Sequence, residues 1–143
     1  MFKYSLSVLF LFAFSAQAAV VTLKISNVMG EKGQLAVAAF SDPGAFPDQA
    51  SGAILSKFFP VTISQNELTV QFEMKPGRYA IATYMDKNKN QKLDTNAVGA
   101  PMERFGFSQN PRIAFSAPNF AECDFEVGPG KNQVIEIKLK KIF

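Results

Sequence analysis

The sequence of 143 residues contains no histidine and no tryptophan, and it has a single cysteine, Cys123. Without histidine the usual general base and the commonest zinc ligand are missing, so a Ser-His or Cys-His nucleophile cannot form within the chain. Because one cysteine cannot close an intrachain disulfide, Cys123 is either buried or available to another chain, and the alternation of apolar residues around it favours burial. We therefore assign no catalytic residue from the sequence.

A strong charge of either sign is also lacking. The 15 lysines and arginines and the 12 acidic residues give a formal net charge of +3, and the lysines are dispersed. Those near the end of the chain, Lys138, Lys140 and Lys141, alternate with apolar residues, as on the exposed face of a strand. Nucleic acid is therefore not an expected partner.

The first residues have the three parts of a secretory signal peptide. Lys3 precedes a short apolar run, and Ala16-Gln17-Ala18 matches a small-x-small cleavage site. The run is shorter than the roughly 20 residues that a helix needs to cross a bilayer, which disfavours a membrane anchor. We expect residues 1–18 to be removed before Ala19, so that residues 19–143 form one periplasmic or secreted domain without a membrane span.

Apolar residues recur at every second position along most of the remaining chain, which predicts strands with one buried and one exposed face. Two of these segments are apolar on both faces, as central strands tend to be. About seven short strands predict an all-β fold, a β-sandwich, with a small closed barrel as the alternative. The predicted strands are 21–25, 34–40, 61–64, 68–74, 79–85, 121–127 and 135–139.

Glycine and proline mark the predicted turns. Lys-Pro-Gly at 75–77 predicts a tight turn, and 128–132 predicts a hairpin between the last two strands. One or two turns of helix are predicted within 50–59. Two segments, 41–59 and 86–119, lack strand alternation, and loops of such length usually carry function or are ordered by something. We expect the functional site in these two segments.

Residues 86–94 read Asp-Lys-Asn-Lys-Asn-Gln-Lys-Leu-Asp and directly follow a predicted strand. Oxygen-bearing side chains recur at relative positions 1, 3, 5 and 9, which is how a loop wraps a hard cation, with a backbone carbonyl at position 7. The spacing predicts a calcium-binding loop. Its candidate ligands are Asp86, Asn88, Asn90, the carbonyl of Lys92, and Asp94.

This loop departs from a helical calcium loop in two places. Position 6, normally glycine, is Gln91, and position 12, normally glutamate, is Ala97. A further ligand would have to come from Asp42, Asp48 or Glu103, which the sequence does not rank. The alternative interpretation is a solvated turn, because Asp and Asn are common in turns without any metal. If Ca²⁺ binds, we expect modest affinity and a structural role.

The stretch 103–112 places aromatic rings beside arginine and amide side chains. Flat rings stack and amides orient polar ligands, so this stretch could form a binding face for a glycan or a peptide. The alternative, which the lack of tryptophan favours, is that the phenylalanines hold a long loop onto the sandwich. The candidate ligand-binding residues are Arg104, Phe105, Phe107, Gln109 and Asn110.

Four stretches together resemble a known family: Gly-Gln-Leu-Ala-Val-Ala-Ala-Phe at 33–40, Lys-Pro-Gly-Arg-Tyr-Ala-Ile at 75–81, the loop 86–94, and Phe-Gly-Phe-Ser-Gln-Asn at 105–110. On these residues the chain resembles the DUF2141 family of exported bacterial domains, which has no assigned function. The family loop usually reads Asp-x-Asn-x-Asn-Gly-x-Leu-Asp, so Gln91 is a departure. The resemblance implies an immunoglobulin-like or transthyretin-like β-sandwich and carries over no catalytic residue.

We therefore expect a non-enzymatic exported module with a binding or structural role, stabilised by Ca²⁺. One alternative is a carboxylate-dependent hydrolase that uses Asp86 with Asp94, or Glu103 with Asp94, because such chemistry needs no histidine. Buried carboxylates with raised pKa values would favour it. The other alternative is an envelope or adhesion subunit that pairs through an edge strand, which an unprotected long edge would favour.

Overall fold

A computed structural model describes residues 17–29, 32–62 and 64–142 of the chain. Most of the predicted signal peptide, residues 1–16, lies outside the described residues, as do Gly30 and Glu31 of a predicted turn and Ile63 of a predicted strand. Two short helical segments, a 3₁₀ turn at Ala50–Gly52 and α1 at Phe120–Cys123, accompany eight strands in this part of the chain. The strands are β1 Ala19–Ser26, β2 Gly33–Phe40, β3 Leu55–Val61, β4 Glu67–Met74, β5 Gly77–Asp86, β6 Phe105–Phe107, β7 Phe125–Val127 and β8 Gln133–Lys138.

The strands form two sheets that pack as a sandwich. One sheet has the order β4-β1-β8, and the other has the order β3-β2-β5-β6, with β7 also pairing with β5. The β1–β8 pairing is parallel, whereas the pairings of β1 with β4 and of β2 with β3 and β5 are antiparallel. The predicted all-β sandwich is therefore confirmed, and the closed barrel is not adopted.

The main core lies between the two sheets, where the alternating apolar residues point inward. In β1 every second residue is buried, and Val21, Leu23 and Ile25 are fully buried. Phe59 of β3 and Phe72 of β4 meet edge to face with their ring centroids 6.0 Å apart. Alternation in these strands therefore reflects one face on the core and one in solvent.

A second core covers the outer face of the five-stranded sheet. Phe46, from the long segment after β2, packs edge to face against Phe40, Phe107 and Phe120 with ring centroids 5.5–6.0 Å apart. Phe105 and Phe107 are themselves 5.9 Å apart. Because both faces of β2 and β5 are covered in this way, these two strands are apolar on both sides, as the sequence predicted for central strands.

The predicted turn at 75–77 carries β4 of one sheet into β5 of the other. The hydroxyl of Tyr79 donates a hydrogen bond of 2.7 Å to the carbonyl oxygen of Lys75. This is the tyrosine-corner arrangement of β-sandwiches, in which a tyrosine closes the preceding crossover. The Lys-Pro-Gly-x-Tyr sequence therefore fixes how the chain passes between the sheets.

The predicted helix within 50–59 is wrong apart from the single 3₁₀ turn. Most of this stretch belongs to β3, which pairs with β2 from Ala39↔Leu55 to Gly33↔Val61. Its half-buried residues do not alternate strictly, because β3 lies at the edge of its sheet and packs only in part on the core. The same weak alternation explains why a strand was predicted at 61–64, whereas β3 ends at Val61.

The strand predicted at 121–127 is only half correct, because α1 takes its first residues. The side chain of Asn119 accepts from Glu122 N at 3.0 Å, and Glu122 Oε2 accepts from Asn119 N at 2.8 Å, which forms a capping box. Cys123 ends this helix and is fully buried, as predicted, although from a helix rather than a strand face. The Asn-x-x-Glu spacing is a sequence signal that could have identified α1.

The predicted hairpin between the last two strands is also wrong. β7 pairs with β5, whereas β8 pairs with β1 in the other sheet, so residues 128–132 cross between sheets. Two hydrogen bonds hold the crossing segment near β1: Asn132 Oδ1 accepts from Val20 N of β1 at 2.9 Å, and Gly130 N donates to the carbonyl of Gln17, two residues before β1, at 3.0 Å. A Gly-Pro-Gly sequence is thus compatible with a crossover between sheets as well as with a hairpin.

Candidate metal site

Asp86 is the last residue of β5 and is fully buried at the base of the 86–94 loop. Its Oδ2 accepts from Gln34 Nε2 at 2.8 Å and from Gln91 N at 2.9 Å, and its Oδ1 accepts from Asn90 N at 3.1 Å. These three hydrogen bonds satisfy a carboxylate that burial would otherwise destabilise. Asp86 therefore ties the loop to β2 and to the end of β5.

The approach of β2 to this position requires a glycine. Gly33, the first residue of β2, has φ +135°, and a Cβ added there would collide with the carbonyl oxygen of Asp86. The glycine thus lets the backbone of β2 pass directly against the start of the loop.

The other three predicted side-chain ligands converge at the mouth of the loop. Asn88 Nδ2 donates to Asp94 Oδ2 and Asn90 Nδ2 donates to Asp94 Oδ1, each at 2.7 Å. The amide oxygens face the backbone instead: Asn88 Oδ1 accepts from Asn90 N at 3.2 Å, and Asn90 Oδ1 accepts from Lys92 N at 3.0 Å. The mouth of the loop is therefore closed by hydrogen bonds from the side-chain amides of Asn88 and Asn90 to the Asp94 carboxylate.

Two residues of the loop have left-handed backbone conformations, Lys89 with φ 56° and Gln91 with φ 62°. Gln91, at position 6 of the loop, thus has the positive φ that glycine adopts readily. A side chain in this region is strained relative to glycine. The loop therefore holds Gln91 in a conformation that glycine would adopt with less strain.

Glu103 joins the loop from further along the chain. It is buried, and its Oε1 accepts from Lys87 N at 3.0 Å while its Oε2 accepts from Asp94 N at 3.1 Å. Burial, aided by the negative charges of Asp94 and Asp86, raises its pKa above the usual range, although the two backbone hydrogen bonds act in the opposite direction. Of the three additional ligands that the sequence left unranked, Glu103 is the one that contacts the loop.

The negative charge at the loop also affects Tyr84 of β5. Its pKa is raised to about 12, first by burial and then by the charges of Asp86, Glu103 and Asp94. Asp42 serves a different loop, since its Oδ1 accepts from Gly44 N at 2.9 Å. The carboxylates of Asp86, Asp94 and Glu103 thus define one electronegative region beside Tyr84.

The donor set fits a hard cation only in part. Across the described residues, no three side chains of the His, Cys, Asp and Glu types are grouped so that they could hold a metal ion. A Ca²⁺ ion takes six to eight oxygen ligands. Amide oxygens would therefore have to complete its shell, which requires Asn88 and Asn90 to turn their Oδ1 atoms toward Asp94.

The second predicted site, the aromatic stretch, is largely engaged within the fold. Phe105 and Phe107 are buried in the second core, so their ring faces do not reach solvent. Gln109 Nε2 donates to the carbonyl of Asp124 at 3.1 Å. Asn110 bridges to β8, donating to the carbonyl of Glu136 and accepting from Lys138 N, both at 2.8 Å. The backbone carbonyl of Arg104 accepts a hydrogen bond from Met85 N at 2.8 Å.

Ser108 is a residue of this stretch that the sequence did not single out. It is fully buried, and its hydroxyl accepts from Ile81 N at 2.9 Å and donates to the carbonyl of Cys123 at 2.6 Å. It therefore fastens α1 to β5. A serine between Phe107 and Gln109 carries no local signal for such a role.

These features define an all-β sandwich with a polar, carboxylate-rich loop at the end of a central strand. The chain belongs to the DUF2141 family, described as an uncharacterized protein conserved in bacteria, whose model matches residues 23–136. No curated protein and no solved structure gives a significant match. In the part of the chain that the structure describes, no helix is long and apolar enough to cross a membrane.

Proposed function

We propose that this protein is an exported, non-enzymatic β-sandwich module whose 86–94 loop binds Ca²⁺ as a structural ion. The observation that carries the proposal is the convergence of Asn88, Asn90 and Asp94 at the mouth of the loop, above the buried carboxylates of Asp86 and Glu103. Carboxylate and amide oxygens are the ligands that Ca²⁺ takes in proteins.

Export is supported by where the first strand begins. The predicted cleavage site directly precedes Ala19, which is the first residue of β1 and pairs with Met74. Removal of residues 1–18 would therefore leave every described strand intact and would remove the hydrogen bond from Gly130 N to the carbonyl of Gln17. We expect the mature protein in the periplasm or outside the cell. Mass spectrometry of protein recovered from the native host should find a chain that begins at Ala19, and a cytoplasmic chain that retains Met1 would contradict export.

Calcium binding requires the amides of Asn88 and Asn90 to exchange ends, which gives up the hydrogen bonds that their Oδ1 atoms accept from Asn90 N and Lys92 N. Rotating the side-chain amide groups of Asn88 and Asn90 by half a turn would place both Oδ1 atoms where the Nδ2 atoms now lie, next to the Asp94 carboxylate. The carbonyl of Lys92 completes the set at position 7. The loop itself contains three lysines, Lys87, Lys89 and Lys92, whose positive charges oppose a cation, so the affinity should be modest.

The test is a thermal melt of the protein with EDTA and with increasing Ca²⁺. An ion that binds only the folded state stabilises it by about 2.7 kcal/mol at a hundredfold excess over Kd. Asp94→Ala should abolish the difference between the two melts, whereas Lys92→Ala should retain it, because Lys92 would contribute only its backbone carbonyl. Mg²⁺ should raise the melting temperature less, since it dehydrates reluctantly. Identical melts up to Ca²⁺ concentrations on the order of 10 mM, about tenfold above the weakest expected Kd, would leave the loop as a polar turn.

The hydrolase alternative has one observation in its favour: Asp86 and Glu103 are buried, and the pKa of Glu103 is raised. Both oxygens of Glu103 nevertheless accept backbone N–H groups, and Asp86 accepts three hydrogen bonds, which supports a role in holding the loop. Assays with model esters and glycosides decide between the two. Turnover that disappears in Asp94→Ala would replace the proposed module with an enzyme.

A further inference from the structure

β4 is a long and regular strand at the edge of its sheet. Its register with β1 runs without a bulge from Ala19↔Met74 to Ser26↔Glu67. Within the described residues no strand pairs with its other edge. Edge strands of soluble proteins are usually blunted by lysine, proline or a bulge, and residues 67–74 contain none of these.

The other edges of the sandwich are protected. β3 carries Pro60 and Lys57, and the Lys57 ammonium lies 5.5 Å from the centroid of the Phe72 ring. On the far side, Phe105 and Lys140 exchange backbone hydrogen bonds of 2.9 and 2.7 Å, which link the two sheets. Asn110 occupies the edge of β8 at Glu136 and Lys138. β4 is thus an exception in a fold that closes its edges.

The charges around β4 distinguish between the ways in which two copies could pair. The side chains on its exposed face are Glu67, Thr69, Gln71 and Glu73, followed by exposed Lys75. In an antiparallel pair about a two-fold axis, the residue on the axis lies opposite its own copy, and residues equally far on either side of it lie opposite each other. Centring the axis on Val70 sets Glu67 against Glu73 at both ends, which is repulsive. Centring it on Gln71 sets Glu67 against Lys75 at both ends, which is attractive.

We propose that β4 pairs antiparallel with β4 of a second copy of this chain, with Gln71 opposite Gln71 and Glu67 opposite Lys75. The two three-stranded sheets then become one sheet of six strands, and the free backbone groups of β4 are satisfied. The dimer is isologous, so each favourable charge pair occurs twice. This interface involves no residue of the 86–94 loop, and its test is independent of calcium.

Sedimentation equilibrium of protein produced from the full-length gene should show a monomer–dimer equilibrium that shifts toward monomer as salt is added. Glu67→Lys and Lys75→Glu should each weaken the dimer about three- to tenfold, since each places like charges at two symmetric contacts. The double variant should restore the wild-type dimer. A monomer at near-millimolar concentration, or single variants that dimerise as well as wild type, would overturn the proposal.

A cross-linking experiment fixes the register. In the proposed pair the Cα atoms of the two Gln71 residues lie about 4.5–5.5 Å apart, within the span of a disulfide. Gln71→Cys should therefore give a covalent dimer on mild oxidation. Thr69→Cys is the matched control, because the two copies of position 69 would be about 13 Å apart along the strands. Cys123 is buried and common to both variants. Cross-linking through position 69 and not 71, or through neither, would refute this interface.

Discussion

Replacing Ser108 by alanine tests the connection between α1 and the sheet. The Ser108 hydroxyl is completely buried and bonds to two backbone groups, Ile81 N at 2.9 Å and the carbonyl oxygen of Cys123 at 2.6 Å. The backbone of Ser108 also donates to the carbonyl of Ile81 at 3.0 Å, and this bond survives the substitution. The perturbation is therefore confined to one oxygen atom and its two partners.

The loss of this oxygen leaves a buried N–H and a buried C=O without their partner. Each such group costs about 1–3 kcal/mol, so Ser108→Ala should lower the free energy of unfolding by about 3 kcal/mol. For a domain of this length that corresponds to a fall in Tm of about 10 °C. Alanine adds no atoms, so overpacking does not contribute to the loss.

Denaturant unfolding followed by circular dichroism measures this change directly. Ser116→Ala is the control, because Ser116 is an exposed serine of the same segment and its substitution should leave stability within about 0.5 kcal/mol of wild type. Amide hydrogen exchange at Ile81 should also accelerate in Ser108→Ala. A stability for Ser108→Ala within the range of the control would show that the hydroxyl does not hold α1 to β5.

Two further substitutions probe the strained loop and the buried thiol. Gln91→Gly should stabilise the protein by about 0.5–1 kcal/mol, because φ is 62° at this residue and glycine is unstrained there. Lys92→Gly is the control and should destabilise the protein, because Lys92 does not have a positive φ. Chemical denaturation of both variants measures these changes, and a loss of stability in Gln91→Gly would contradict the prediction. Cys123 should react slowly with a thiol reagent in the native state, since burial raises its pKa to about 12. Cys123→Ser should lower the free energy of unfolding by about 1–3 kcal/mol. Rapid labelling without denaturant would contradict the burial of Cys123.

The strands with strict alternation were predictable because their pattern is local. Every second residue of β1 and of β4 faces the same core, so the period of two survives in the sequence. β6 has only three residues, too few for a period, and the pairing of β6 and of β7 with β5 depends on partners far away in the chain. The sheet to which a strand belongs is likewise a long-range property, which is why a hairpin was predicted where the chain crosses between sheets.

The loop was predictable in composition but not in its internal bonding. The spacing of Asp86, Asn88, Asn90 and Asp94 indicated that their side chains would converge, and they do. Glu103 reaches them because a small hairpin, held by the Met102 N–Asp94 O bond of 2.8 Å, folds the chain back. Which end of each amide faces Asp94 is decided by backbone N–H groups that sequence spacing does not reveal.

The two hydrogen bonds on Asp94 link the proposed calcium site to the proposed compartment. In the amide-closed loop both carboxylate oxygens already accept N–H donors at 2.7 Å, so an incoming ion must replace two charge-assisted hydrogen bonds as well as shed its own water. This competition lowers the affinity that the oxygen count alone would suggest. Sites with dissociation constants of about 10⁻⁴–10⁻³ M are typical of extracellular modules. If Ca²⁺ binds as proposed, a loop that closes on its own amides would fill only at such concentrations, which agrees with the proposed export.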